Sequence, residues 1–103
     1  MQSAIVYVDD TLVRSVGSKL IPNPQVISCI QELHGHGKSL YLWSSAGASD
    51  AKSSAEELGI ADCFTASLPK PDFYIDDQAV QEWRYSNHVL PRNVTDFAKS
   101  ISS

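Results

Sequence analysis

Short hydrophobic runs rich in β-branched and aromatic residues alternate along the chain with segments in which apolar residues recur every three or four positions. Such runs are typical of buried parallel strands, whereas the longer spacing indicates amphipathic helices. Strands are predicted at residues 3–8, 39–43, 63–65, 73–75 and 88–90. The alternation of strand and helix favours an α/β fold with a parallel sheet.

Capping residues predict where the helices begin and end. Asn23 followed by Pro24 reads as an N-cap and a first helical residue, and the segment 35–37, Gly-His-Gly, ends that helix. Similar signals bound two later helices, from 49 or 50 to 59 and from 93 or 95 to 101. A helical turn is predicted at 80–83 and a loop at 9–23.

The length of 103 residues suits a single domain spanning 1–103. The pattern predicts a three-layer, Rossmann-like domain: about five parallel strands with helices on both faces, joined by right-handed crossovers.

Charge and hydropathy restrict the classes of partner. The net charge of −4 and the absence of any Lys or Arg run argue against nucleic acid, which is bound through clustered basic residues. No stretch is long and apolar enough for a membrane span, and no signal sequence is visible. Cys29 and Cys63 lack a metal-binding spacing and are expected to be free thiols in a reducing compartment. A cytoplasmic protein is therefore predicted.

Polar groups that can hold a phosphate or a hard metal ion stand beside three of the predicted strands. They are Asp9, Asp10 and Thr11 after the first strand, Ser44 after the second, and Lys70, Asp76 and Asp77 around the fourth. Because parallel strands present their carboxyl ends at one edge of a sheet, we expect these groups to surround one crevice, with the first strand central.

Each group also has a structural interpretation. Serines after strands mostly cap turns, and an isolated lysine is usually a solvated surface residue. The acid pair Asp76-Asp77 is the strongest local signal, because adjacent carboxylates repel one another unless a cation or donors offset the charge. A turn opener or helix cap is the alternative for this pair.

The order of these groups over about residues 3–90 resembles the haloacid dehalogenase (HAD) phosphohydrolase superfamily. The resemblance implies a Mg²⁺-dependent phosphatase acting on a phosphorylated small molecule or a phosphoprotein. Asp9 would be the general acid and base, and Ser44 and Lys70 would contact the phosphoryl group. The implied catalytic positions are Asp9, Thr11, Ser44 and Lys70, and the implied Mg²⁺ ligands are Asp9, Asp76 and Asp77. The intervals between motifs are too short for a cap domain, which indicates a capless member.

One position departs from the family pattern. Alignment on Thr11 puts Tyr7 where the family carries its nucleophilic aspartate. A phenol ordinarily titrates near pH 10 and is a poor ligand for Mg²⁺, which prefers carboxylate oxygens. The simplest role for Tyr7 is a β-favouring aromatic that fills the strand end. We therefore expect weak Mg²⁺ binding and no standard phosphoaspartyl catalysis, and a role as a phosphate- or Mg²⁺-binding module or as a protein-interaction module.

Two other interpretations remain open. The first is an active capless phosphohydrolase in which water, activated by Asp9 with Mg²⁺ on Asp76 and Asp77, attacks phosphorus directly. The second is an unrelated flavodoxin-like or receiver-like domain. In receivers, however, the phosphorylated aspartate ends the third strand, and here the third predicted strand is short and lacks that acid.

Overall fold

The described part of the chain forms a three-stranded parallel sheet, a separate two-stranded antiparallel sheet and three α-helices. The structure, a computed structural model, describes residues 2–16, 19–83 and 86–102. The strands are β1 (Ser3–Tyr7), β2 (Val13–Val16), β3 (Lys19–Pro22), β4 (Ser39–Ser44) and β5 (Ala66–Pro69). The helices are α1 (Pro24–Gly35), α2 (Ala48–Glu57) and α3 (Val94–Ser102). Short 3₁₀ turns occupy Ala61–Cys63, Val80–Glu82 and Pro91–Asn93. The expected α/β class is confirmed.

The parallel sheet has the strand order β1-β4-β5. Ser3 of β1 lies opposite Ser39 of β4, and Trp43 of β4 lies opposite both Tyr7 of β1 and Leu68 of β5. Among the described residues, β4 is therefore the central strand and β1 lies at an edge. The expectation that the first strand is central is wrong, because no strand of the described residues pairs with the other side of β1.

The sheet of about five parallel strands is not formed by the described residues. The strand predicted at 63–65 is displaced to Ala66–Pro69, and the segments 73–75 and 88–90 are not in strands. Phe73 and Ile75 are almost fully exposed, at 89% and 102%. A strand exists only where a neighbour accepts its hydrogen bonds, and a three-residue apolar run specifies no such neighbour.

The segment predicted as a loop at 9–23 contains a β-hairpin instead. Val13 of β2 lies opposite Pro22 of β3, and the two strands run antiparallel. Short apolar runs on either side of a Gly-Ser pair are a hairpin signal that the sequence interpretation missed. The Gly17 expected in this loop lies outside the described residues.

The helices cover one face of the parallel sheet. Burial alternates along β4, where Leu40 and Leu42 are fully buried and Tyr41 and Trp43 are half-buried. Buried residues of all three helices form a single cluster with Leu40 and Leu42. The expected helices on both faces are therefore absent from the described part of the chain. The order β1-β4-β5 advances in one direction, and successive right-handed crossovers then keep their helices on one side.

Local capping explains the helix ends. The Asn23 side chain accepts hydrogen bonds from the backbone N–H groups of Gln25 (3.1 Å) and Val26 (3.4 Å), which confirms the predicted start of α1. Helix α2 starts earlier than expected, at Ala48, because Gly47 takes a φ of 112° and turns the chain into the helix. Among the described residues, no helix has the length and apolarity needed to cross a membrane.

Candidate functional site

A tight turn at the end of β1 positions the first group of predicted site residues. The carbonyl of Val8 accepts hydrogen bonds from the backbone N–H groups of Leu12 (3.1 Å) and Val13 (3.0 Å), and the fully buried Leu12 side chain anchors the turn. Asp10 has a φ of 56°, a left-handed conformation that favours glycine. Thr11 is half-buried in the same turn.

Asp9 is linked to the end of the neighbouring strand. The Ser45 hydroxyl donates a hydrogen bond to Asp9 Oδ2 at 2.6 Å, and both side chains are exposed. Since β1 and β4 run parallel, their carboxyl ends lie side by side and bring these two residues together. The sequence interpretation named Ser44 and passed over Ser45, although both follow the same apolar run.

Ser44 faces the interior. It is 1% exposed, its hydroxyl donates to Asp50 Oδ2 at 2.6 Å, and its oxygen accepts from the backbone N–H of Ala46 at 3.1 Å. Adjacent residues of a strand point to opposite faces, which separates Ser44 from Ser45. Ser44 therefore ties the end of β4 to the first turn of α2, and its predicted contact with a phosphoryl group stays a prediction.

Tyr7 and Lys70 meet at the same edge of the sheet. The Lys70 ammonium lies 4.6 Å from the centre of the Tyr7 ring, a distance suited to a cation–π interaction. The Tyr7 ring also packs edge-on against Trp43, with ring centres 5.8 Å apart. The backbone N–H of Lys70 donates to the carbonyl of Ser44 at 2.8 Å, which fixes where the lysine leaves β5. The structure thus places Lys70 over the Tyr7 ring at the end of β1.

Asp76 and Asp77 belong to a small cluster formed within residues 74–83. Asp76 accepts hydrogen bonds from the backbone N–H of Gln78 (3.3 Å) and the indole N–H of Trp83 (3.1 Å). A hydrogen bond with Asp77, followed by the one from Gln78, holds the pKa of Asp76 below its ordinary value. The Tyr74 ring packs edge-on against Trp83. In this structure Asp76 acts as a turn former, the alternative that the sequence left open.

The arrangement does not fit a Mg²⁺ ion. Magnesium requires several oxygen ligands in near-octahedral geometry. Within residues 2–16, 19–83 and 86–102, no three His, Cys, Asp or Glu side chains form a group that could hold a metal. Asp9 is engaged by Ser45, and Asp76 by Trp83.

A shallow cleft lies away from these residues, between α2 and β5. Its volume is about 350 Å³, and its polar lining includes Ser49, Lys52, Thr65 and Ser67. None of the residues predicted from the sequence as a site residue lines this cleft.

Comparisons with protein-family models, with curated proteins and with solved structures find no match to this chain. The resemblance to the HAD superfamily therefore depends on the ordered motifs alone.

Proposed function

We propose that this chain is a capless HAD-like domain that has lost phosphoaspartyl catalysis and acts as a protein-interaction module. The described residues form three parallel strands. The larger Rossmann-like sheet is proposed for the ancestor of this domain and not for the domain itself. The observation that carries the proposal is the Tyr7–Lys70 pair at the end of β1.

Phosphoaspartyl transfer needs an ionised carboxylate in line with phosphorus, and an adjacent cation to offset the charge that develops. Tyr7 supplies no carboxylate. Lys70, the cation that the resemblance assigns to the phosphoryl group, stacks over the phenol ring instead. Asp9 accepts a hydrogen bond from Ser45 and lies outside any group of three metal-binding side chains in the described residues. The Lys70 ammonium and the Asp9 carboxylate are thus both engaged in other contacts.

The exposed surface favours an interaction module over a phosphate-binding one. The face of the parallel sheet opposite the helices carries Ile5, Tyr7 and Leu68, which keep 44%, 38% and 39% of their surface exposed. Phe73 and Ile75 add two nearly fully exposed apolar side chains. Large apolar patches on a protein surface usually mark places where another protein binds.

The test is a phosphatase assay with p-nitrophenyl phosphate and with a phosphopeptide, with and without Mg²⁺. We expect no hydrolysis above background from the natural chain, from the Asp9→Asn variant or from the control Ser45→Ala. Robust Mg²⁺-dependent hydrolysis that disappears in Asp9→Asn would overturn the proposal and establish the active phosphohydrolase.

A further inference from the structure

Strand β1 has one side without a neighbouring strand among the described residues. The backbone N–H of Val8 donates to Trp43, and the carbonyl of Gln2 accepts from Ser39, so the even-numbered residues bond to β4. In a parallel pair, alternate residues bond to the same neighbour, and Ser3 and Ile5 must direct their N–H and C=O groups away from β4. The carbonyl of Tyr7 accepts from the backbone N–H of Leu12 at 3.2 Å, so the unpaired part of the edge is at Ser3 and Ile5. An unpaired edge of this kind is a template for another strand.

The segment Phe73-Tyr74-Ile75 has the complementary properties. Its three residues favour strands, yet no backbone hydrogen bond within the described part of the chain involves them. Phe73 and Ile75 are two positions apart, so in an extended segment they share a face. Both side chains are almost completely exposed.

We propose that two copies of this chain form a symmetric dimer in which residues 73–75 of each copy add an antiparallel strand to the free edge of β1 in the other. The pairing places Ile75 opposite Ile5 and Phe73 opposite Tyr7. Opposed apolar residues of this type stabilise antiparallel pairs. Because the same two surfaces meet twice around a two-fold axis, the assembly closes as a dimer.

Charge selects the antiparallel direction. A parallel strand would bring Asp76 and Asp77 beside Asp9 and Asp10, which crowds four carboxylates at one end of β1. The antiparallel direction carries the acid pair to the opposite end of β1 and leaves only Asp72, opposite Val8 in this register, near Asp9 and Asp10. This direction therefore brings fewer like charges together than the parallel one.

The exposed apolar area is sufficient for a weak dimer. Phe73, Ile75, Ile5 and Tyr7 are 89%, 102%, 44% and 38% exposed. Complete burial of all four residues in both copies, at roughly 200 Å² for each side chain, would remove about 1,100 Å². This upper limit is close to the ~1,200 Å² at which specific interfaces begin. The paired backbones add to this area. We therefore expect monomer and dimer to exchange at micromolar concentrations.

This inference rests on the proposed function, because it names the partner of the interaction module. The two proposals are tested by different measurements. Failure of the dimer proposal would appear as a monomer in sedimentation, whereas failure of the proposed function would appear as phosphatase activity.

The test is sedimentation equilibrium of the whole chain over a hundredfold range of concentration. The variants Ile75→Lys and Ile5→Lys attack the two sides of the contact, and Ile75 is so exposed that its replacement leaves the fold of each copy intact. Leu20→Lys is the matched control, since Leu20 is also exposed (63%) but lies on β3. We expect each contact variant to raise the dimer dissociation constant more than tenfold and the control to leave it unchanged.

Four results would overturn the proposal. They are a natural chain that stays monomeric throughout, a dimer that both contact variants leave unaltered, open-ended oligomers, and a monomer whose residues 73–75 are protected from hydrogen exchange. The last result would mean that the chain covers its own β1 edge.

Discussion

The Ser44→Ala substitution removes the side chain that joins the end of β4 to the first turn of α2. The lost contacts are the hydrogen bond from Ser44 to Asp50 Oδ2 at 2.6 Å and the bond from the Ala46 N–H to Ser44 at 3.1 Å. A hydrogen bond to a charged group contributes about 1.5–3 kcal/mol to stability. Asp50 is only half-buried, so water can replace part of the lost interaction. We therefore expect the free energy of unfolding to fall by about 1–2 kcal/mol.

The assay is urea unfolding followed by tryptophan fluorescence, with the slope of the transition held common to all variants. For a domain of this size, the expected loss corresponds to a fall of roughly 5–10 °C in the melting temperature. Ser45→Ala is the matched control: its side chain is exposed, and its removal should cost less than about 0.5 kcal/mol. A double-mutant cycle that combines Ser44→Ala with Asp50→Ala separates the coupling energy between the two side chains from the effect of each single substitution on stability.

The structural reasoning fails if Ser44→Ala is as stable as the natural chain, or if Ser45→Ala costs more. A ligand-binding role for Ser44 would give a different signature. Inorganic phosphate would then raise the melting temperature of the natural chain and leave that of Ser44→Ala unchanged.

Changes at four further positions test other parts of the structure. Asn23→Ala should lower the free energy of unfolding by about 1 kcal/mol, and Asn23→Gly by only a few tenths, because glycine is tolerated at an N-cap; denaturant titration measures both. Asp10→Gly should be nearly neutral and Asp10→Val should cost at least ~1 kcal/mol, since a β-branched residue resists the left-handed conformation. Burial, and then Glu32, raise the pKa of the Cys29 thiol, so iodoacetamide should alkylate it more slowly in the folded than in the unfolded chain at pH 8. The raised pKa also makes stability depend on pH, because the folded chain favours the protonated thiol. This contribution to the free energy of unfolding is fully present below the pKa of the unfolded chain, about 9.0, and is lost as the pH rises through the higher pKa of the folded chain. Tyr7→Asp should gain Mg²⁺ affinity, seen as a larger rise in melting temperature with millimolar Mg²⁺ than the natural chain shows.

Each of these has a clear contrary result. An Asn23→Ala variant that unfolds like Asn23→Gly would show that the cap contributes little. If Asp10→Val is as stable as the natural chain, the turn can relax to accept valine. Equal alkylation rates in the folded and the unfolded chain would show that Cys29 is accessible. An unchanged Mg²⁺ response in Tyr7→Asp would count against the HAD alignment at that position.

The elements that the sequence determines are those whose signals are local. Strands β1 and β4 have continuous apolar runs, and α1 combines a helical period with the Asn23 cap and a glycine-rich stop. Helix α3 follows from its own apolar spacing. In each case the residues that specify the element lie within it or at its ends, so no distant partner has to be known.

The candidate site was only partly predictable for the same reason. The sequence located the strand ends and therefore the edge where Tyr7, Asp9 and Lys70 lie. It could not tell which of Ser44 and Ser45 turns toward Asp9, because a shift of one residue in a strand reverses the direction of the side chain. It also left the acid pair Asp76-Asp77 with two roles. In this structure Asp76 takes part in a turn through Gln78, and the role of the pair as Mg²⁺ ligands stays a prediction.

Tertiary structure alone decided the sheet. The segment 73–75 is the more apolar and β-favouring of two candidate strands, yet the segment Ala66–Pro69 is the one that pairs with β4. β1 lies at the edge because no segment of the described residues pairs with its other side. Local propensity makes a segment able to form a strand, but hydrogen bonds to a neighbour and burial against the helices determine whether it does so, and these depend on residues far away in the chain.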